Sequence, residues 1–166
     1  MMENHKEWRA HNSVDEIEFT APMMPIRGFE FFPDQNVESA SPELQTIFEL
    51  NGLSLHKHTR AGQPLVIFPI GNSDAKMTAT RSSKQAIEGL AVLAAEFFGR
   101  VLFPELERRT GSRVSSVAAI MDLGALGLRQ FYAPALFLFT GMITLFEENY
   151  PESLAMVCVI NAPSVL

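Results

Sequence analysis

The chain has 166 residues, 47% hydrophobic and 19% charged, with a formal net charge of -6. That length suits one domain with a sizeable core, and the absence of any Lys/Arg-rich run argues against nucleic acid as a partner, because phosphate binding needs a cationic footprint. The 13 Phe and 8 Met supply bulky, adaptable apolar volume that serves a packed core or an apolar cavity. A single cysteine, Cys158, cannot form an internal disulfide and favours a reducing compartment; its apolar neighbours predict a buried small residue. The polar N-terminal stretch MMENHKEWRAHN does not read as a signal peptide.

In chain order, residues 3–18 read as the end of a helix anchored by Trp8, with a further turn starting at Ser13. From Phe19 to Ser41, Pro22, Pro25 and Pro33 with little periodicity predict loop or linker, and Phe29, Phe31 and Phe32 are expected to pack on the domain. Ser41 as a hydroxyl N-cap, Pro42 at the first helical position and Glu43 in the first turn predict a helix stopped by Gly52. His56, Lys57 and His58 fall in a polar segment expected to be a solvated loop; two histidines without further ligands nearby do not make a metal site. Pro64–Ile70 predicts a short buried strand with Pro69 at its exit, and residues 71–76 a polar turn.

Thr80 to Arg109 is the longest helical pattern. Ile87, Leu90, Ala91, Ala94, Ala95, Phe98 and Leu102 recur at three and four spacing, which puts Lys84, Glu88, Glu96 and Arg100 on the other faces. Pro104 is expected to kink or end that helix, and Glu107 to Arg109 to form a solvated end. A strand over 114–122, a very apolar helix over 131–149 and a strand over 155–161 complete the order. The uncharged run Phe131–Phe146 is shorter than the ~20 residues of a membrane span. Strands alternating with helices predict an α/β fold, a βαβαβ unit with a largely parallel sheet. Such a sheet needs cover on both faces, more than two helices supply, so further chain or a partner is expected.

The search for chemistry finds little. The turn Asp122-Leu123-Gly124-Ala125-Leu126-Gly127 lacks the spacing of a phosphate loop, and Asp122 is expected to cap it through backbone N–H groups. There is no GxSxG or HExxH motif, and all four histidines lie in the first 58 residues. Glu147, Glu148 and Glu152 form an acidic corner that reads as a solvated face. Phe131, Ala135, Leu138, Phe139, Met142 and Phe146 spread around their helix, as in a helix sandwiched in a core or lining a cavity.

Five blocks in order carry a family likeness: Gly62-x-Pro64; Ile70-Gly71-x-x-Asp74-Ala75-Lys76; Ile120-Met121-Asp122-x-x-x-Leu126-Gly127-Leu128; Phe146-Glu147-Glu148-Asn149-Tyr150-Pro151-Glu152; and Val159-Ile160-Asn161-Ala162-Pro163. Together they resemble the CRAL-TRIO lipid-binding family, both its animal branch typified by supernatant protein factor and its yeast-type phosphatidylinositol transfer branch. The resemblance implies a mixed, largely parallel sheet flanked by helices. It also implies a cytoplasmic, non-enzymatic module without a cofactor. Such a module binds one hydrophobic lipid (phosphatidylinositol, tocopherol or similar) in an apolar pocket and transfers or presents it between membranes. The partners implied are the lipid and, transiently, a membrane surface, with no transmembrane segment and no nucleic acid.

Carried onto this sequence, Glu152 matches an acidic residue that helps hold a phosphoinositol headgroup. Val117 and Ala119 stand where the yeast-type branch uses hydroxyls for choline, and their apolar character is similar to the animal branch. With the apolar helix, the expected lipid-binding set is Val117, Ala119, Phe131, Leu138, Phe139, Met142, Phe146 and Glu152. Ala125 replaces the glycine common in the D-x-x-G turn, which matters only if that position needs positive φ. Residues 1–41 are expected to be a remnant of the family's N-terminal helical region plus a linker, and 42–166 a domain truncated at both ends. The family continues beyond Asn161-Ala162-Pro163 into a gate helix, further strands and a basic headgroup partner. Two alternatives stand beside lipid binding. The first is a truncated interaction or regulatory module that binds no lipid; the second, weaker one is a nucleotide-binding α/β enzyme.

Overall fold

The computed structural model describes residues 2–19, 26–28, 42–127 and 130–163. Ser41, Phe29, Phe31 and Phe32, with their expected roles, lie outside these residues. Helix α1 (Met2–His11) leads into a 3-10 turn at Val14–Glu16, as the sequence predicts. Within the segment expected to be loop, Ile26–Arg27 forms a short strand, β1. Helix α2 (Pro42–Asn51) buries Ile47 and Phe48 and stops at Gly52, whose N–H donates to the Phe48 carbonyl (2.8 Å) with φ +62.

The His56-Lys57-His58 segment is a strand rather than a loop. Strand β2 (Ser54–His58) pairs antiparallel with β3 (Pro64–Phe68) and parallel with β1. Its polar side chains conceal it, since only Leu55 points into the core, and a register shift before His58 with Lys57 at φ +55 breaks the alternation that marks a strand in sequence.

The long helical pattern divides. A short helix, α3 (Ala75–Arg81), begins at Ala75 and Lys76, the end of the expected polar turn, with Asp74 accepting from the Met77 N–H (2.9 Å) as its cap. Ser83 then caps α4 (Lys84–Phe97), accepting from the Ala86 N–H at 3.1 Å, and Glu43 of α2 accepts from the Ser83 N–H at 2.8 Å. Pro104 goes with an interruption of the regular helix, as expected, and helix resumes directly beyond it. It cannot donate into the turn before it, and the chain absorbs this by widening into a π turn at Phe98–Leu102 before α5 (Phe103–Thr110). Gly111, at φ +68, closes α5, and the Glu107 carboxylate accepts from the Val114 N–H (2.9 Å), tying the helix end to the next strand.

Strand β4 (Val117–Asp122), helix α6 (Ala133–Asn149) and strand β5 (Leu154–Ile160) follow, giving a five-stranded sheet in the order β1-β2-β3-β4-β5. Only the β2–β3 pair is antiparallel, so the fold is α/β with a mixed, largely parallel sheet. The core runs from Leu55, Val66 and Val117 of the sheet to Ile47 and Phe48 of α2, then along Leu90, Ala94, Phe98, Leu102 and Leu106 of the α4–α5 run.

Strand β5 behaves differently. All seven of its residues are exposed, Cys158 among them, contrary to the expectation of a buried cysteine. The physical reason is position: β5 is last in the sheet order and pairs with β4 alone, and none of the described residues covers it enough to bury any side chain.

Candidate functional site

Between the sheet and helices α4 and α6 lies a cavity of about 520 Å³, within the ~300–1,000 Å³ typical of small-molecule sites. Strand alternation builds its floor. Val66 and Phe68 of β3 and Val117, Ala119 and Met121 of β4 fall two residues apart and present one face. Leu90, Ala91, Ala94 and Phe98 form one wall, at helical spacing along α4 and into the π turn. Phe139, Met142, Ile143 and Phe146 form the other wall along α6. The small residues Ala91, Ala94 and Ala119 leave the space, because larger side chains there would fill it.

Of the expected lipid-binding set, Val117, Ala119, Phe139, Met142, Phe146 and Glu152 line this one cavity. Two do not. Phe131 precedes α6 and is 52% exposed, and Leu138 turns away to pack against the hydrophobic core. Helix α6 is thus neither sandwiched nor wholly a cavity wall, for its outer face leaves Phe137 71% exposed.

The cavity's polar end is the turn from α6 to β5. Tyr150, Pro151, Glu152 and Ser153 line it together with Glu147. Pro151 at the second position, Glu152 at φ +62 in the third and a Ser153 N–H to Tyr150 carbonyl bond (3.3 Å) match a type II turn. Glycine or asparagine ordinarily fills that third position, so a glutamate there keeps its carboxylate at the cost of backbone strain. Among the described residues no hydrogen bond or ion pair engages the Glu152 carboxylate, and no basic side chain lines the cavity.

Sequence reasoning missed Glu96, which it placed on a solvated face of α4. The residue is 5% exposed. Its Oε1 accepts from Arg9 Nη1 of α1 at 2.7 Å and from the Tyr150 hydroxyl at 2.9 Å, and its Oε2 accepts from Arg9 Nη2 at 3.2 Å. A buried carboxylate needs such partners, because its lost hydration is otherwise uncompensated. Burial first, then the hydrogen bond to Glu96, pushes the Tyr150 phenol well above its ordinary pKa, so it remains the donor. The signal was there to read: a lone acid inside the apolar run Leu93-Ala94-Ala95-Glu96-Phe97-Phe98.

At the opposite end of the strands, where open parallel sheets often take nucleotides, the described residues close on one another. Asp122 Oδ1 accepts from the Gly124 N–H (2.8 Å) and from Asn161 Nδ2 (2.8 Å), the capping role expected of it. The Asn161 bond first, then that of Gly124, holds its carboxyl below the ordinary Asp range. Gln130 Nε2 donates to the carbonyls of Gly71 and Ser73, both at 3.1 Å, while its Oε1 accepts from the Gly127 N–H at 3.0 Å. Gly71 sits so tightly here that an added Cβ would fall 1.8 Å from the Gly124 carbonyl oxygen. Ala125 of this turn adopts φ +65, so the replaced glycine does matter. This packed, carboxylate-bearing turn offers a phosphate no cradle.

The described residues thus form an α/β sheet with an apolar cavity walled by two helices. The CRAL/TRIO domain family model matches residues 49–166, and the chain belongs to that family. It is 24% identical to the protein real-time of Aedes aegypti over 99% of this chain and 22% of that protein. A CRAL-TRIO domain-containing protein of Caenorhabditis elegans is 27% identical over 95% of this chain and 19% of its own length. The chain spans about a fifth of the length of these curated relatives. Among the described residues, no helix is long and apolar enough to cross a membrane.

Proposed function

We propose that this chain binds a hydrophobic lipid in the cavity between α4, α6 and the sheet, and carries or presents it between membranes. Membership in a family of lipid-binding domains supports the general reading; the cavity of about 520 Å³ is the observation that carries it. An acyl or isoprenoid chain that buries ten methylenes there gains on the order of 8 kcal/mol before association costs. The polar end supports a finer reading. Glu147 and Glu152 can accept hydrogen bonds, whereas a lipid phosphate finds no cation among the lining residues. The ligand favoured is therefore uncharged with a hydroxyl end, of which tocopherol is an example, over phosphatidylinositol. The protein acts by binding rather than catalysis, in the cytoplasm, touching membranes transiently.

The test is extraction from vesicles containing both lipids, followed by mass spectrometry of what stays with the purified chain. Stoichiometric tocopherol is expected. Recovery of neither lipid overturns the reading, and recovery of phosphatidylinositol alone overturns its finer part.

A second reading rests on the exposed β5, whose Leu154, Met156, Val157, Val159 and Ile160 suit an interaction module. Size-exclusion chromatography separates the two: a monomer holding lipid supports the first, and a stable lipid-free oligomer or complex supports the second.

A further inference from the structure

Among the described residues Glu96 is the one ionisable side chain that is fully buried, and lipid enclosure as described above makes no use of it. Its surroundings join two parts of the chain that sequence places far apart. On one side stands α1, none of whose described side chains is buried. Arg9 ties it to the domain by reaching both Glu96 oxygens and also Asp15, while Val14, just beyond the helix, is wholly buried. On the other side stands Tyr150, the first residue of the turn that forms the cavity's polar end. The Tyr150 ring takes the Trp8 ring of α1 against its edge, with centroids 6.0 Å apart, and meets Phe146 of the cavity wall at 5.9 Å.

We infer that Glu96 is a positioning residue for the cavity mouth, through which α1 sets the conformation of the Tyr150–Ser153 turn. The decisive detail is that a single oxygen, Oε1, accepts from both Arg9 and Tyr150. When α1 lifts away, the carboxylate loses its cation, apart from Arg100 at 3.8 Å, and must turn or rehydrate. Either response withdraws the acceptor from the Tyr150 hydroxyl. The turn then keeps Pro151 and the strained Glu152 with one anchor fewer. Coupling of this kind is reciprocal: whatever fixes the turn also holds α1 down. Its consequence for ligand exchange rests on the lipid-binding reading; the coupling of α1 to the turn does not.

Hydrogen–deuterium exchange on the full chain tests the coupling without any ligand. Tyr150→Phe keeps the ring and removes only the hydroxyl, and it is expected to speed amide exchange in α1 by about fivefold, the lower range of such couplings. Arg9→Ala is expected to do the same to the amides of residues 150–153, with Arg9→Lys restoring part of the protection. Exchange in α2 and α3 should stay unchanged in all three. Changes confined to the mutated segment, or spread evenly over the sheet, overturn the inference and leave Glu96 a plain structural ion-pair partner.

A second arm measures release of a pyrene-labelled fatty alcohol, an uncharged chain with the hydroxyl end that the cavity's acidic mouth favours. Release about fivefold faster from Tyr150→Phe than from the parent chain, at an equal thermal midpoint, supports control of the mouth; equal rates overturn it. Failure of every variant and of the parent to take up the probe, with the exchange pattern as expected, sinks the lipid reading and upholds the coupling.

Discussion

The two halves of this molecule are similarly apolar in sequence and opposite in burial. Around β3, β4 and the α4–α5 run, Leu102 and Leu106 are wholly buried and nearly every polar group described there has a partner. Around α6 and β5, not one residue of either element is fully buried, although both are strings of Leu, Phe, Met, Val and Ile. Hydrophobicity in a sequence is a demand for cover, and the fold of the described residues meets it on one side only. The cavity lies where the two halves meet, floored and half-walled by the closed one and finished by the open one.

Substitutions can sharpen or break that contrast. The largest effect is expected at Gly71, where a methyl group collides with the Gly124 carbonyl oxygen. Gly71→Ala should cost roughly 4 kcal/mol or more of unfolding free energy, measured by denaturant titration. Next, Leu102→Ala or Leu106→Ala should cost about 3 kcal/mol by leaving a void in the closed half. The matched changes Phe137→Ala and Val159→Thr in the open half should cost no more than about 0.5 kcal/mol. Equal losses in both halves would show that α6 and β5 are covered in solution.

A smaller effect follows from acid titration. Arg108 first, then Arg109, hold the Glu105 carboxyl down at about 2, from an ordinary 4.5. A depressed folded-state pKa contributes stability that is present above the ordinary value and fades as pH falls through the folded one. Asp122, held low by Asn161 and Gly124, acts in the same direction. Stability should therefore decline below about pH 4.5 toward pH 2, and the decline should be shallower in Glu105→Gln. A steeper loss in that variant would contradict the assignment. The smallest effect is a gain. Ala125→Gly relieves a positive φ and should stabilise the closed end by about 0.5–1 kcal/mol, read as a raised denaturation midpoint.

Strong local signals made most of the fold legible. Gly52 and Gly111 ended helices as glycines at positive φ do, and the three-and-four spacing of Leu90, Ala94 and Phe98 picked out the buried face of α4. What escaped were features that depend on neighbours. Strand β2 carries His56, Lys57 and His58 because, apart from the partnership with β1, only Leu55 needs a core. Cys158 looked buried since its apolar neighbours cannot reveal that none of the described residues covers them. Glu96 looked solvated until Arg9, eighty-seven residues away, was brought against it. Of the candidate site, the strand and helix positions were readable from alternation and spacing. Phe131 and Leu138 were not, because the start and rotation of α6 are set by packing against α3 and α4 rather than by its own residues.

The most direct test of the central claim narrows the cavity and asks whether lipid uptake falls. Ala119→Phe fills the floor from β4, and Met142→Trp fills the wall from half-buried α6, where a larger side chain strains the core less. Equilibrium titration with the pyrene-labelled fatty alcohol should weaken at least about tenfold in both variants, about 1.4 kcal/mol, while Val159→Thr on β5 binds as the parent does. Unchanged affinity in the two filled variants, with a loss in Val159→Thr, would place the lipid on the open strand and contradict the cavity.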